Sequence, residues 1–166
     1  SLQSLTLGEL FCQSLRNVIW PKNLQSLTFG DRFNETLEGV TFPQLERLTF
    51  GNDFDQLLMH VLFPSSLRHL TFGQNFNQSL RFVNWPPDLV SLTFGLNFSQ
   101  RLQDANLPNL PSSLQHLHLG HRFNRNLETV MFPSTLRSLT LGRGFSWSLQ
   151  HVKLPSLCSL FCGELL

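Results

Sequence analysis

Tyrosine is absent from this chain, cysteine occurs only three times, and no apolar run approaches the roughly 18 residues of a membrane-spanning helix. Cys12, Cys158 and Cys162 are too few, and odd in number, to form a disulfide framework, which favours a reducing, intracellular compartment. Charge is also scarce. Only 14% of residues are charged, and twelve Lys/Arg against eleven Asp/Glu leave the chain near neutral. No bulk charge therefore steers it toward nucleic acid or an acidic membrane. The opening Ser1-Leu2-Gln3-Ser4-Leu5 has no basic stretch ahead of an apolar one, so no signal peptide is expected.

Phenylalanine, by contrast, is over-used, with 16 copies in 166 residues. A composition so lopsided is the mark of one motif copied many times, and internal repetition is the first thing to test. The block L-x-x-L recurs with first leucines at Leu2, Leu24, Leu45, Leu67, Leu89, Leu114, Leu136 and Leu157. The spacings are 22, 21, 22, 22, 25, 22 and 21. The deviations fall beside the repeat's proline, where Asn106-Leu107-Pro108-Asn109-Leu110-Pro111 duplicates a tripeptide. We read that position, just after the proline, as a surface loop that tolerates length changes.

Aligned on the leucines, the unit reads L-x-x-L-T-F-G-x-x-F-N-x-x-L-x-x-V-x-F-P-x-x. Its glycine recurs at Gly8, Gly30, Gly51, Gly73, Gly95, Gly120, Gly142 and Gly163. Its second aromatic recurs at Phe11, Phe33, Phe54, Phe76, Phe98, Phe123 and Phe145, with Leu166 in the incomplete last copy. The pairs Phe33-Asn34, Phe76-Asn77 and Phe123-Asn124, with L-T-F-G ending at Gly30, Gly51, Gly73 and Gly95, resemble the FNIP repeat, a relative of the leucine-rich repeat. The resemblance implies a solenoid used for interaction, and it implies no reaction. Asp55, Ser99, Ser146 and Cys12 stand where the asparagine would be.

The residues themselves lead to the same fold. Within L-x-x-L-T-F the second leucine and the Phe or Leu after Thr alternate with polar neighbours, the period of a half-buried strand, and β-branched Thr suits it. Glycine should end the strand in a sharp turn needing positive φ. The following Phe should point inward, stacking from turn to turn. Asn34, Asn77 and Asn124 should form a buried ladder that satisfies turn amides. The return leg L-x-x-V-x-F-P reads as a short second strand, since the residue before proline is pushed extended; a helical turn is the alternative. The expected fold is mainly β: a parallel-sheet, right-handed, leucine-rich-repeat-like coil of about eight turns. It forms one domain over residues 1–166, expected to belong to a longer chain or assembly.

Specificity should sit where the repeat varies on the outward strand face. Its third position holds Ser4, Ser26, Arg47, His69, Ser91, His116, Ser138 and Ser159. Its fifth holds Thr6, Thr28, Thr49, Thr71, Thr93, His118, Thr140 and Phe161. Arg47, His69, His116 and His118 are therefore the candidate binding residues. The leading expectation is a non-catalytic scaffold for another protein, its ends free to dock onto further repeats or a complex. A carbohydrate-binding or carbohydrate-active solenoid is the alternative, and an ice-binding Ser-x-Thr array a weaker one, broken by those same cationic residues.

Other chemistry is sparse. His116, His118 and His121 have zinc-compatible spacing without a fourth ligand in the turn. Asp53 and Asp55 flank Phe54 as paired carboxylates could in a glycosidase, yet the register makes them turn and ladder residues. Asn34, Asn77 and Asn97 begin glycosylation sequons, the first two a by-product of the repeat's own wording. No nucleophile elbow or phosphate-binding glycine loop occurs, so neither enzyme activity nor a cofactor is expected. From residue 115 to 151, Arg122, Arg125, Arg137 and Arg143 oppose only Glu128, a net of 4 − 1 = +3.

Overall fold

The computed structural model describes residues 2–104, 107–108 and 110–163, without the side chains of residues 103, 104, 107 and 108. Leu166 and the Asn106 and Asn109 of the duplicated tripeptide lie outside the described residues. Each repeat contributes one short strand: β1 (Ser4–Thr6), β2 (Ser26–Thr28), β3 (Arg47–Thr49), β4 (His69–Thr71), β5 (Ser91–Thr93), β8 (His116–His118), β9 (Ser138–Leu141) and β10 (Ser159–Cys162). They form one parallel eight-stranded sheet in chain order. Two further fragments, β6 (Gln103–Asp104) and β7 (Leu107–Pro108), pair antiparallel. The chain is a leucine-rich-repeat-like solenoid.

The register matches repeat to repeat, Leu48 facing Leu70 and Leu70 facing Leu92. The fourth-position leucines Leu27, Leu48, Leu70, Leu92, Leu117 and Leu139 are buried, as are Phe33, Phe54, Phe76, Phe98 and Phe123. Those five rings run down the coil in near-parallel stacks, with centroids 6.0 to 6.2 Å apart from each turn to the next. Within a turn, Phe50 meets Phe54 at 4.0 Å and Phe72 meets Phe76 at 4.0 Å. Offset stacking at these distances adds to the burial of the rings themselves. The core is thus a continuous column with no boundary between repeats.

Three expectations need correction. Among the described residues the return leg forms strand only in the fifth turn, as the fragments β6 and β7; in the other turns the leg bends instead. Val40 donates to the Leu37 carbonyl at 3.1 Å, and Val18, Val61, Val83, Val130 and Val152 repeat that i→i+3 bond. Residues in left-handed conformation serve several of these bends: Asn17 (φ 66), Gly39 (φ 74) and Phe82 (φ 60). Seven residues are too few for a helix and the turn saturates the amides more cheaply than a lone strand.

The strand-ending glycines Gly30, Gly51, Gly73, Gly95 and Gly120 do not have positive φ. They are glycines because successive turns touch there. A β-carbon on any of them would overlap the carbonyl oxygen of the glycine one turn earlier, for example Gly73 against Gly51. The turn itself closes by Phe33 N–H donating to the Gly30 carbonyl at 3.2 Å, a bond repeated at Phe98 and Phe123.

The length variation of the fifth turn does not follow the proline. Leu114 N–H donates to the Pro111 carbonyl at 3.2 Å, as Leu67 does to Pro64 and Leu136 to Pro133. Pro111 is therefore the repeat proline, and the extra residues lie ahead of it, between the buried Leu102 and Leu110.

Candidate functional site

On β2 to β5, β8 and β9 the second leucine of the repeat is buried in the core, which turns its two neighbours outward. Arg47 and His116 are exposed, while His69 and His118 are half-buried. The sheet pairs Arg47 directly with His69, His69 with Ser91, and Ser91 with His116. His118 pairs with Thr93 on one side and Thr140 on the other. The structure thus brings Arg47, His69 and His116 into one row across four strands, with His118 in the parallel row.

Electrostatics register that grouping. Burial lowers the His69 pKa below its ordinary 6.5, and the positive charges of Arg47, Arg68 and His116 lower it further, against a smaller opposing pull from Glu46. His118 is also lowered, first by burial and then by His121. Arg68, exposed beside His69, is a member of this basic strip that the sequence reading did not single out. Its signal was available: Arg68 directly precedes the selected His69, at a second repeat position that is Gln in three turns, Gln3, Gln25 and Gln115.

The remaining candidates resolve into structure. Asn34, Asp55 and Asn77 do form a ladder: Asp55 N–H donates to Asn34 Oδ1 at 2.9 Å, Asn77 N–H to Asp55 Oδ1 at 2.8 Å, and Ser99 N–H to Asn77 Oδ1 at 2.9 Å. Asn124 continues it, accepting from Ser146 N–H at 3.1 Å. The ladder is not buried, however. Asn34 and Asn124 are exposed and Asn77 half-buried, because the phenylalanine beside each asparagine takes the inward direction and leaves the polar side chain at the surface. Asp53 accepts from Asn75 Nδ2 at 3.2 Å, so each carboxylate of the Asp53/Asp55 pair joins a different inter-turn link. Among the described residues no group of three His, Cys, Asp or Glu side chains could hold a metal ion. No helix of the described residues is long and apolar enough to cross a membrane. The three cysteines are free and exposed.

The FNIP repeat family matches residues 11–53, 33–75, 54–97 and 98–144, the first three overlapping in sequence. The chain belongs to the FNIP-repeat family. Its fold is similar to that of CroV588, described as a novel circular leucine-rich-repeat protein, with a TM-score of 0.82 and 32% sequence identity. That likeness covers 97% of this chain and 27% of the other, so the chain spans about a quarter of its structural relative. No curated protein matches it. FNIP membership and this likeness both place the chain among leucine-rich-repeat-like solenoids.

Proposed function

We infer that this FNIP-repeat chain is a non-catalytic scaffold whose strand face binds a partner protein through an acidic surface. The observation that carries the reading is the row Arg47, His69, His116 with Arg68 beside it, on a sheet whose other third-position residues are serines. Arginine is a residue type that acts as a binding hot spot, and Arg47 and Arg68 stand with the imidazole rings of His69 and His116 among short hydroxyls. They also make no contribution to the leucine and phenylalanine columns, so the coil does not explain them. Glu46 is the one carboxylate felt at His69.

The test is affinity capture from native extract with the wild-type chain and a charge-reversed Arg47→Glu/Arg68→Glu variant side by side. Captured proteins are identified by mass spectrometry and their affinity is measured by calorimetry at two salt concentrations. A partner that binds wild type in a salt-sensitive manner and ignores the variant supports the reading. Equal binding to both sinks it.

A further inference from the structure

Beyond the strand face, the loops leading from each glycine turn to the return leg carry two regular series of side chains. At the twelfth repeat position, Gln78 Nε2 donates to the Asp55 carbonyl at 3.1 Å and Gln100 Nε2 to the Asn77 carbonyl at 2.7 Å, tying each turn to the one before. At the thirteenth, Ser14, Thr36, Ser79 and Ser148 accept the N–H two residues on, at 3.2 to 3.3 Å. These are structural services, and the residues that perform them are small or amide-bearing.

The series change in three successive turns. Arg101 stands at the thirteenth position of the fifth turn, where Ser or Thr would cap the bend. Arg125 stands at the twelfth of the sixth. It keeps the glutamine's link through Nε, which donates to the Ser99 carbonyl at 2.7 Å, and carries its two terminal amino groups beyond that bond. Trp147 stands at the twelfth of the seventh and is 48% exposed. Leu57 in the third turn and Glu35 in the second depart from the series too.

The three departures converge. Arg101, Arg125 and Trp147 line one cavity of about 300 Å³, together with Asn126, Thr129 and Val130. Two arginines among the lining residues supply the donors that bind the paired oxygens of a phosphate in a fork. An exposed indole offers a flat face on which a ring can stack. The volume is at the small end of ligand pockets, room for a single ring and its oxyanion. The one carboxylate of residues 115–151, Glu128, is met by Asn126, whose Nδ2 donates to it at 3.5 Å and whose Oδ1 accepts its N–H at 2.8 Å.

We propose that this cavity binds a phosphate monoester carried on a single ring, with Arg101 and Arg125 on the phosphate and Trp147 against the face of the ring. The ring is aryl or sugar, and the test separates the two. Calorimetric titrations use phenyl phosphate, glucose 6-phosphate, inorganic phosphate, phenol and glucose. One of the two ring phosphates should bind at least about tenfold tighter than inorganic phosphate, with phenol and glucose silent. The tighter of the two names the ring. Arg125→Gln restores the repeat's own residue and its link to the preceding turn, so its melting temperature should hold while affinity falls by about tenfold or more. Arg101→Ser and Trp147→Gln, both also repeat residues, should do the same. Absence of binding by either ring phosphate overturns the proposal, as does binding unchanged by all three substitutions. Inorganic phosphate binding as tightly as the ring esters overturns it as well.

Discussion

Gly73 lies flat against the backbone of Gly51, one turn earlier, so closely that a β-carbon on Gly73 would overlap the Gly51 carbonyl oxygen and stand 2.7 Å from the α-carbon of Asn52. The contact recurs at Gly30 on Gly8, Gly51 on Gly30 and Gly95 on Gly73, which makes a seam of glycines running down the coil. The neighbour on each side is backbone and cannot rotate away.

Gly73→Ala should therefore destabilise the chain by about 2–3 kcal/mol, the upper range for forcing volume into a packed region. Gly39 supplies the contrast. It has φ 74 and nothing within 4 Å of a would-be β-carbon, so Gly39→Ala carries only left-handed strain, about 1 kcal/mol. Urea melts of the two variants should rank them in that order. A Gly73→Ala variant as stable as wild type would show that the turns can separate without loss.

The phenylalanine column predicts a gradient. Phe76 is fully buried and stacks on Phe54 and Phe98 at 6.1 and 6.2 Å, so Phe76→Ala should lower stability by about 3–5 kcal/mol. Phe145 is only half-buried, with a ring partner in Phe123 at 6.4 Å. Its removal should matter less, since fewer atoms lose contact. Equal losses at both positions in chemical denaturation would contradict a core whose packing thins toward β10.

Much of this architecture was readable in advance, and the failures share a cause. L-x-x-L-T-F states both the strand and its inward residues, because period-two alternation is a local property of the chain. Phe33, Phe54 and Phe76 were readable for the same reason, large apolar residues recurring at one phase. The glycine seam was misattributed because a contact between Gly73 and Gly51 is made across 22 residues, and sequence shows only that glycine is needed. The return-leg bend escaped because its left-handed position is filled by Asn17, Gly39 and Phe82, residues with no common signature. Duplicated wording left both Pro108 and Pro111 as candidates on paper, and the Leu114 hydrogen bond decides for Pro111. Of the candidate binding surface, the row of Arg47, His69 and His116 followed from register alone. The Arg101, Arg125 and Trp147 cavity could not, since three different turns and two repeat positions meet there.

The histidines of the strand face predict a pH response. His69 and His118 both have pKa values below 6.5 in the folded chain, chiefly because burial disfavours the imidazolium. As pH falls through 6.5 the unfolded chain takes up protons first, and stability declines wherever the unfolded state binds more protons. Full stability is thus present above pH 6.5 and is lost as pH drops through that value toward the lowered folded pKa values. The pair His69→Ser/His118→Thr should remove part of the decline. Melting temperatures of wild type and variant, measured from pH 8 to pH 5, check it, and parallel curves for the two proteins would refute the assignment.

The strand face can be separated from the coil by substitutions that return it to the repeat's own preference. Arg47→Ser with His69→Ser reproduces the serines that Ser26 and Ser91 supply on the flanking strands. His116→Ser with His118→Thr reproduces Ser138 and Thr140 on β9. None of the four side chains belongs to the buried core, so folding should be unharmed. Removing Arg47 and His69 also removes like charges on paired residues, a juxtaposition that destabilises a sheet by tenths of a kcal/mol when both are charged. Stability should therefore stay level or rise slightly. Partner affinity should move the other way, weakening by at least ~1 kcal/mol in one or both double variants, because truncated hot-spot side chains are not replaced by hydroxyls of that length. Calorimetry of the identified partner alongside thermal melts of the same preparations reads both quantities at once. Undiminished affinity in both double variants, with crosslinks mapping to the proline loops, would place the binding surface elsewhere on the coil.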